Sequence, residues 1–119
     1  MRYFTASEFS CGCGCGLDLS SMNKAFCNRL DYARAISKTP YSLNRSLSCA
    51  AHNKLVGGLD NSAHLTGHAA DIRADNSVER YKILLGLIKA GFKRIGVYKT
   101  FIHVDDDETK PTGVVWVAE

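Results

Sequence analysis

The stretch RIGVYKTFIHVD, residues 94–105, decides the fold. RIGVY (94–98) and FIHVD (101–105) are β-type segments with a period of two, and only Lys99 and Thr100 separate them, which is hairpin spacing. Working outward, Asn76 to Ala90 reads as a helix: Asn76 caps it, Glu79 follows three residues later and Gly91 ends it. AADIR (69–73) suits a strand, and the polar stretch 46–63 reads as a helical turn near 49–55 followed by a loop in which Gly57, Gly58, Asp60 and Asn61 cluster. YSLNR (41–45) predicts a short strand. Residues 19–37 predict a helix, because Leu19, Met22, Phe26, Leu30 and Ala33 form one apolar face, with Asp18 as N-cap and Pro40 just past the end. On the other side of the hairpin, VVWV (114–117) is a last strand. The expectation is an α+β fold, a small, mainly antiparallel sheet with helices packed on it.

The 119 residues carry no internal repeat or low-complexity linker and predict a single domain over 1–119. Apolar residues at 45% and charged residues at 23% match a soluble globular protein. The net charge of +3 is small and its cations are scattered, which argues against a nucleic-acid partner. No apolar run is long enough to span a membrane, so no membrane insertion is expected. MRYFTASEFS lacks the hydrophobic region of a secretory signal, so synthesis in the cytoplasm is expected. The five cysteines are Cys11, Cys13, Cys15, Cys27 and Cys49, and reduced thiols are the default for them. The run CGCGC (11–15) has C-x-C-x-C spacing rather than the C-x-x-C of structural zinc. It reads first as a glycine-rich loop with small, partly buried thiols. A cysteine-rich metal module is the alternative, and a disulfide between Cys11 and Cys49 after export is another.

Four histidines, His52, His64, His68 and His103, are the neutral candidates for a metal. His64 and His68 imitate the helical H-E-x-x-H spacing, but position 65 is Leu and Gly67 interrupts the would-be helix. His64 and Asp71 can meet if the chain turns between them, which Gly67 permits. A third ligand must come from elsewhere, and His103 in FIHVD is the best candidate because a strand fixes its direction. Two histidines, a carboxylate and one open position would make a catalytic zinc site. His52 and His68 read as rim or structural groups, and Trp116 as core.

The segment SAHLTGHAAD (62–71) resembles the S-x-H-x-x-G-x-A-x-D motif of the zinc D-alanyl-D-alanine peptidases, with Ser62, His64, Gly67, Ala69 and Asp71 at the fixed positions. That family includes VanX-like dipeptidases, D,D-carboxypeptidases and bacteriophage endolysin peptidases, and it shares its metal-site fold with the hedgehog signalling domain. LNRSLSCAAHNKLVGGLDNS (43–62) and GVYKTFIHVD (96–105) are similar to further family stretches in the same order, and the short phage and prophage members are the most alike.

The resemblance implies zinc as cofactor, held by His64, Asp71 and His103. It implies that Arg45 holds the substrate carbonyl or the developing oxyanion, a task that suits a permanently charged guanidinium, and that Ser62 lines the substrate site. Many relatives place a Glu three residues before the last histidine as general base; Thr100 stands there in this chain. Asp105 shares a strand face with His103, so it is either the proton acceptor or a group that orients a ligand. Tyr98 is a candidate donor to the transition state. The implied substrate is the peptidoglycan stem peptide, cut at D-Ala-D-Ala or at L-Ala-D-Glu by a monomeric enzyme. It would reach the cell wall after release or as a virion component. The competing expectation is a non-catalytic zinc-binding structural or interaction protein on the same fold.

Overall fold

The computed structural model describes residues 1–59 and 61–118; Asp60, in the expected turn cluster, and Glu119 lie outside the described residues. Helix α1 (Lys24–Ser37) starts where Asn23 Oδ1 accepts from Phe26 N at 2.9 Å, and it stops at Lys38, whose φ of 53° is left-handed. Its inner face is Phe26, Leu30 and Ala33. The helix expected from residue 19 is in fact two pieces. Asp18 caps a separate 3-10 turn, Leu19–Ser21, and Met22 is extended. The break has a tertiary cause: the Asn23 N–H donates to the Gly67 carbonyl at 3.0 Å, which holds this stretch against a distant loop.

Strand β1 (Leu43–Arg45) is shorter than expected, and Tyr41, before it, is buried in the core. Helix α2 (Ala50–Leu55), strand β2 (Ala69–Arg73), helix α3 (Ser77–Lys89, capped by Asn76), strands β3 (Arg94–Val97) and β4 (Phe101–Asp105), and strand β5 (Val114–Val117) follow their expected positions closely. The sheet order is β1-β2-β4-β3-β5, antiparallel throughout except for the parallel pair β3–β5. The fold is therefore α+β with a mainly antiparallel sheet.

Period-two alternation divides the sheet into two faces. Ala70, Ile72, Ile95, Ile102 and Val104 join Phe26, Leu30, Ile83 and Leu87 in one hydrophobic core with α1 and α3. The opposite face is left for polar side chains. No helix among the described residues is long and apolar enough to cross a membrane.

Candidate metal centre

The polar face carries a row of residues in register across all five strands. Arg45 on β1 pairs with Asp71 on β2, Asp71 with His103 on β4, His103 with Gly96 on β3, and Gly96 with Trp116 on β5. The pairing of β1 with β2 shifts register between Leu43 and Arg45, an irregularity of the kind that re-aims a side chain. It brings Arg45 opposite Asp71. Gly96 is needed in the row because a Cβ there would sit 2.5 Å from the Trp116 indole, which lies across it and reaches His103 at a ring-centroid distance of 5.7 Å.

His64 reaches the row from outside the sheet. It sits in the 3-10 turn Ala63–Leu65, whose N-cap Ser62 accepts from His64 N at 3.2 Å. Gly67, with φ of 76°, then turns the chain into β2, and any side chain there would strike the Ser21 carbonyl at 2.5 Å. The turn swings His64 back over Asp71.

The ring nitrogens are already sorted. His64 Nδ1–H donates to the Ser46 carbonyl at 2.6 Å, which leaves Nε2 facing Asp71 Oδ1 at 3.3 Å. His103 lies between two carboxylates: Nε2–H donates to Asp105 Oδ2 at 2.7 Å and Nδ1–H to the same Asp71 oxygen at 2.8 Å, so Nδ1 must give up its proton before it can hold a metal. Ligand atoms of His64, Asp71 and His103 all lie within 4.8 Å of one another. Two imidazoles with their outer nitrogens committed elsewhere, plus one carboxylate, are the donor set of a catalytic zinc site with a position left open. The residues fit the metal. His68 is outside this group, paired through Nδ1 with Asp106 Oδ1 at 2.6 Å.

Burial alone would raise the Asp71 carboxyl, but the hydrogen bond from His103 and the neighbouring His64 ring outweigh it and hold the group at about 2. Burial opposes charge on His103, yet its bonds to Asp105 and Asp71 push it up to about 8. Burial likewise raises Asp105, and the His103 bond, the Asp107 N–H and Arg94 more than reverse it. Asp105 lies behind His103 at 2% exposure, with Oδ2 on His103 and Oδ1 on Arg94 Nε at 2.7 Å and on Asp107 N at 3.1 Å. That is the position of a group that orients a ligand.

The ligands open into a cleft of about 380 Å³ lined also by Arg45, Ser62, Tyr98, Phe101, Lys110 and Trp116. A larger cleft of about 610 Å³, among Met1, Leu19, Met22 and Cys27, holds no histidine and lies away from this donor set. Arg45 Nη2 donates to Asn53 Oδ1 at 2.6 Å, while its Nε is buried with no partner. Burial disfavours the Arg45 charge, and the charges of Asp71 and Cys11 only partly compensate. Tyr98 stacks on Phe101 at 4.4 Å, and its hydroxyl accepts from Trp116 Nε1 at 3.4 Å. Ser62 lines the cleft, but its oxygen is engaged in capping the His64 turn.

Trp116 corrects the reading of that residue as core. It is half-buried on the cleft, with the Arg94 guanidinium 5.1 Å above its ring. Sequence reasoning missed Asn53, Arg94 and the Ser46 carbonyl. Arg94 shares a face with Gly96 by period two, but its pairing with Asp105 depends on strand register. Asn53 and Ser46 gave no signal, since one acts through α2 and the other through its backbone.

The family model described as Peptidase M15 matches residues 2–105. No curated protein matches the chain. The matched stretch carries the whole donor set and Arg45 and stops at Asp105, short of the Trp116 strand.

Proposed function

The chain belongs to the M15 peptidases, a family of zinc metallopeptidases, and from that premise we propose that it is a zinc-dependent hydrolase of bacterial cell-wall peptides. The observation that carries the reading is the convergence of His64 Nε2, Asp71 Oδ1 and His103 Nδ1 beside an arginine whose Nε is unpaired. When bound there, zinc supplies Lewis acidity, acidifying water and polarising a carbonyl oxygen.

The protein's own residues do the rest. The Ser46 carbonyl and the Asp105 carboxylate hold the outer nitrogens of the two imidazoles, so that His64 Nε2, and His103 Nδ1 once it has given up its proton, turn inward as metal donors. Arg45 aims donors at the peptide carbonyl, and its charge strengthens that hold as the oxygen becomes anionic. The Tyr98 hydroxyl stands in the same cleft as a second donor. Trp116 gives the peptide an apolar wall, while Arg45 and Lys110 favour a substrate bearing carboxylates. A stem peptide has those groups, and a cleft of this volume takes a short peptide rather than a folded chain. The scissile bond is D-Ala-D-Ala, cut as a carboxypeptidase, or L-Ala-D-Glu, cut as an endopeptidase. The proposed enzyme acts as a monomer. The enzyme would meet the wall after release from the cell or as part of a virion.

The test is digestion of purified peptidoglycan by the zinc-loaded protein, with fragments read by mass spectrometry beside His64→Ala. New D-Ala or L-Ala termini that vanish in the variant are the expected result. A second reading, a zinc-binding interaction protein without catalysis, is favoured by one observation. Thr100 is exposed on the hairpin turn where many relatives carry a glutamate, and Asp105 is fully engaged. Bound zinc with intact peptidoglycan would establish that reading.

A further inference from the structure

A second convergence of ligands lies outside the cleft. The run CGCGC folds back so that Cys11, Cys13 and Cys15 meet Cys49, which begins α2, and the four sulfurs all lie within 4.8 Å of one another. Cys13 Sγ is 3.4 Å from Cys11 Sγ and 3.5 Å from Cys49 Sγ, and all four residues are free thiols. Four thiolates at about 2.3 Å from a tetrahedral zinc stand roughly 3.8 Å from each other, so this spacing is close to that of a metal cage. Backbone N–H groups point at the sulfurs: Cys49 N at Cys11 Sγ and His52 N at Cys49 Sγ, each at 3.4 Å. Cysteine also occupies the N-cap of α2, where an oxygen side chain is the usual acceptor, and a thiolate accepts there better than a thiol. The tight C-x-C-x-C spacing, which argued against zinc in the sequence, is accommodated by left-handed glycines at Gly14 and Gly16, with φ of 76° and 94°.

We propose that Cys11, Cys13, Cys15 and Cys49 bind a structural zinc ion, separate from the His64, Asp71 and His103 site. Four protein ligands leave no open position, so this ion holds structure and does not meet substrate. The clip ties the N-terminal segment to α2, whose Asn53 holds Arg45, so it braces the arginine of the cleft from behind.

The test counts metal on reduced protein loaded with zinc and desalted. About two zinc ions per wild-type chain are expected, and about one in either His64→Ala or Cys13→Ser. Cobalt in His64→Ala should show the thiolate-to-metal charge-transfer band of a sulfur site, and Cys13→Ser should lose it. Because the cysteine variant can fail to fold, thiol modification is also followed on the wild type, where zinc should protect the exposed Cys13 and Cys15. Retention of the sulfur site in His64→Ala makes this outcome independent of the catalytic reading. A single zinc per wild-type chain, with Cys13 and Cys15 modified equally fast with and without zinc, would overturn the proposal. So would a disulfide among the four that, once reduced, leaves protein unable to take a second metal.

Discussion

With His103 on one oxygen and Arg94 on the other, Asp105 is a buried carboxylate with both oxygens engaged. We read its role as fixing the His103 ring and tuning its basicity, so Asp105→Ala should weaken zinc binding by about 10–100-fold. Metal titration of the variant against a competing chelator measures this. A base role predicts the opposite split, unchanged zinc affinity with lost turnover. Arg45 and Asn53 divide another task. Arg45→Ala should cost roughly 10²–10³ in kcat with zinc content unchanged, the usual loss for a single oxyanion donor. Asn53→Ala, which only frees the guanidinium, should cost less and act mainly on KM. Steady-state kinetics on a defined stem peptide separates the two. Sequence was informative here where a residue's type is its chemistry, as with His64, Asp71 and His103. It was uninformative where a role depends on what lies behind the side chain, as with Asp105.

At the level of elements, the packing of α1 on α3 turns on one glycine. Gly86 lies inside α3, where its propensity weakens the helix. A Cβ there would meet Ser37 Oγ at 1.9 Å and the Ala33 carbonyl at 2.5 Å, so its absence is what lets the helices approach. Gly86→Ala should therefore destabilise the protein by about 1–3 kcal/mol despite the better helix former, as read by urea unfolding. Gly96→Ala makes the complementary prediction on the other face. It should displace the Trp116 indole and reduce activity more than stability, because the clash is with a cleft side chain rather than the core. The helix expected over residues 19–37 belongs at this scale as well. Apolar spacing continued through Met22, but a long-range bond from Asn23 to Gly67 ended the helix, and no local pattern encodes such a bond.

Across the whole molecule, the proposed zinc ligands come from the 3-10 turn before β2, from β2 and from β4, so an ion bound there would tie β4 to a segment some thirty residues earlier in the chain. Zinc at about 100 times its dissociation constant should add about 2.7 kcal/mol of stability per site. Differential scanning calorimetry should show Tm rising with zinc and falling back with chelator. His64→Ala should lose only the part of the rise that belongs to the catalytic site. An unchanged Tm would mean that the folded chain has no preferential hold on the metal.

The sequence by itself determined the α+β order of elements, the hairpin at 94–105, the caps at Asn76 and Gly91 and the candidate ligand types. Periodicity, capping and donor chemistry are local properties of the chain. Only the tertiary structure decided that Arg45, Asp71, His103, Gly96 and Trp116 lie on one row, because strand register is a relation between distant segments. It also decided which nitrogen of each histidine faces inward, since a backbone carbonyl 18 residues away and a buried carboxylate make that choice. The meeting of Cys49 with the CGCGC loop was settled in the same way, across a separation that spacing rules do not reach.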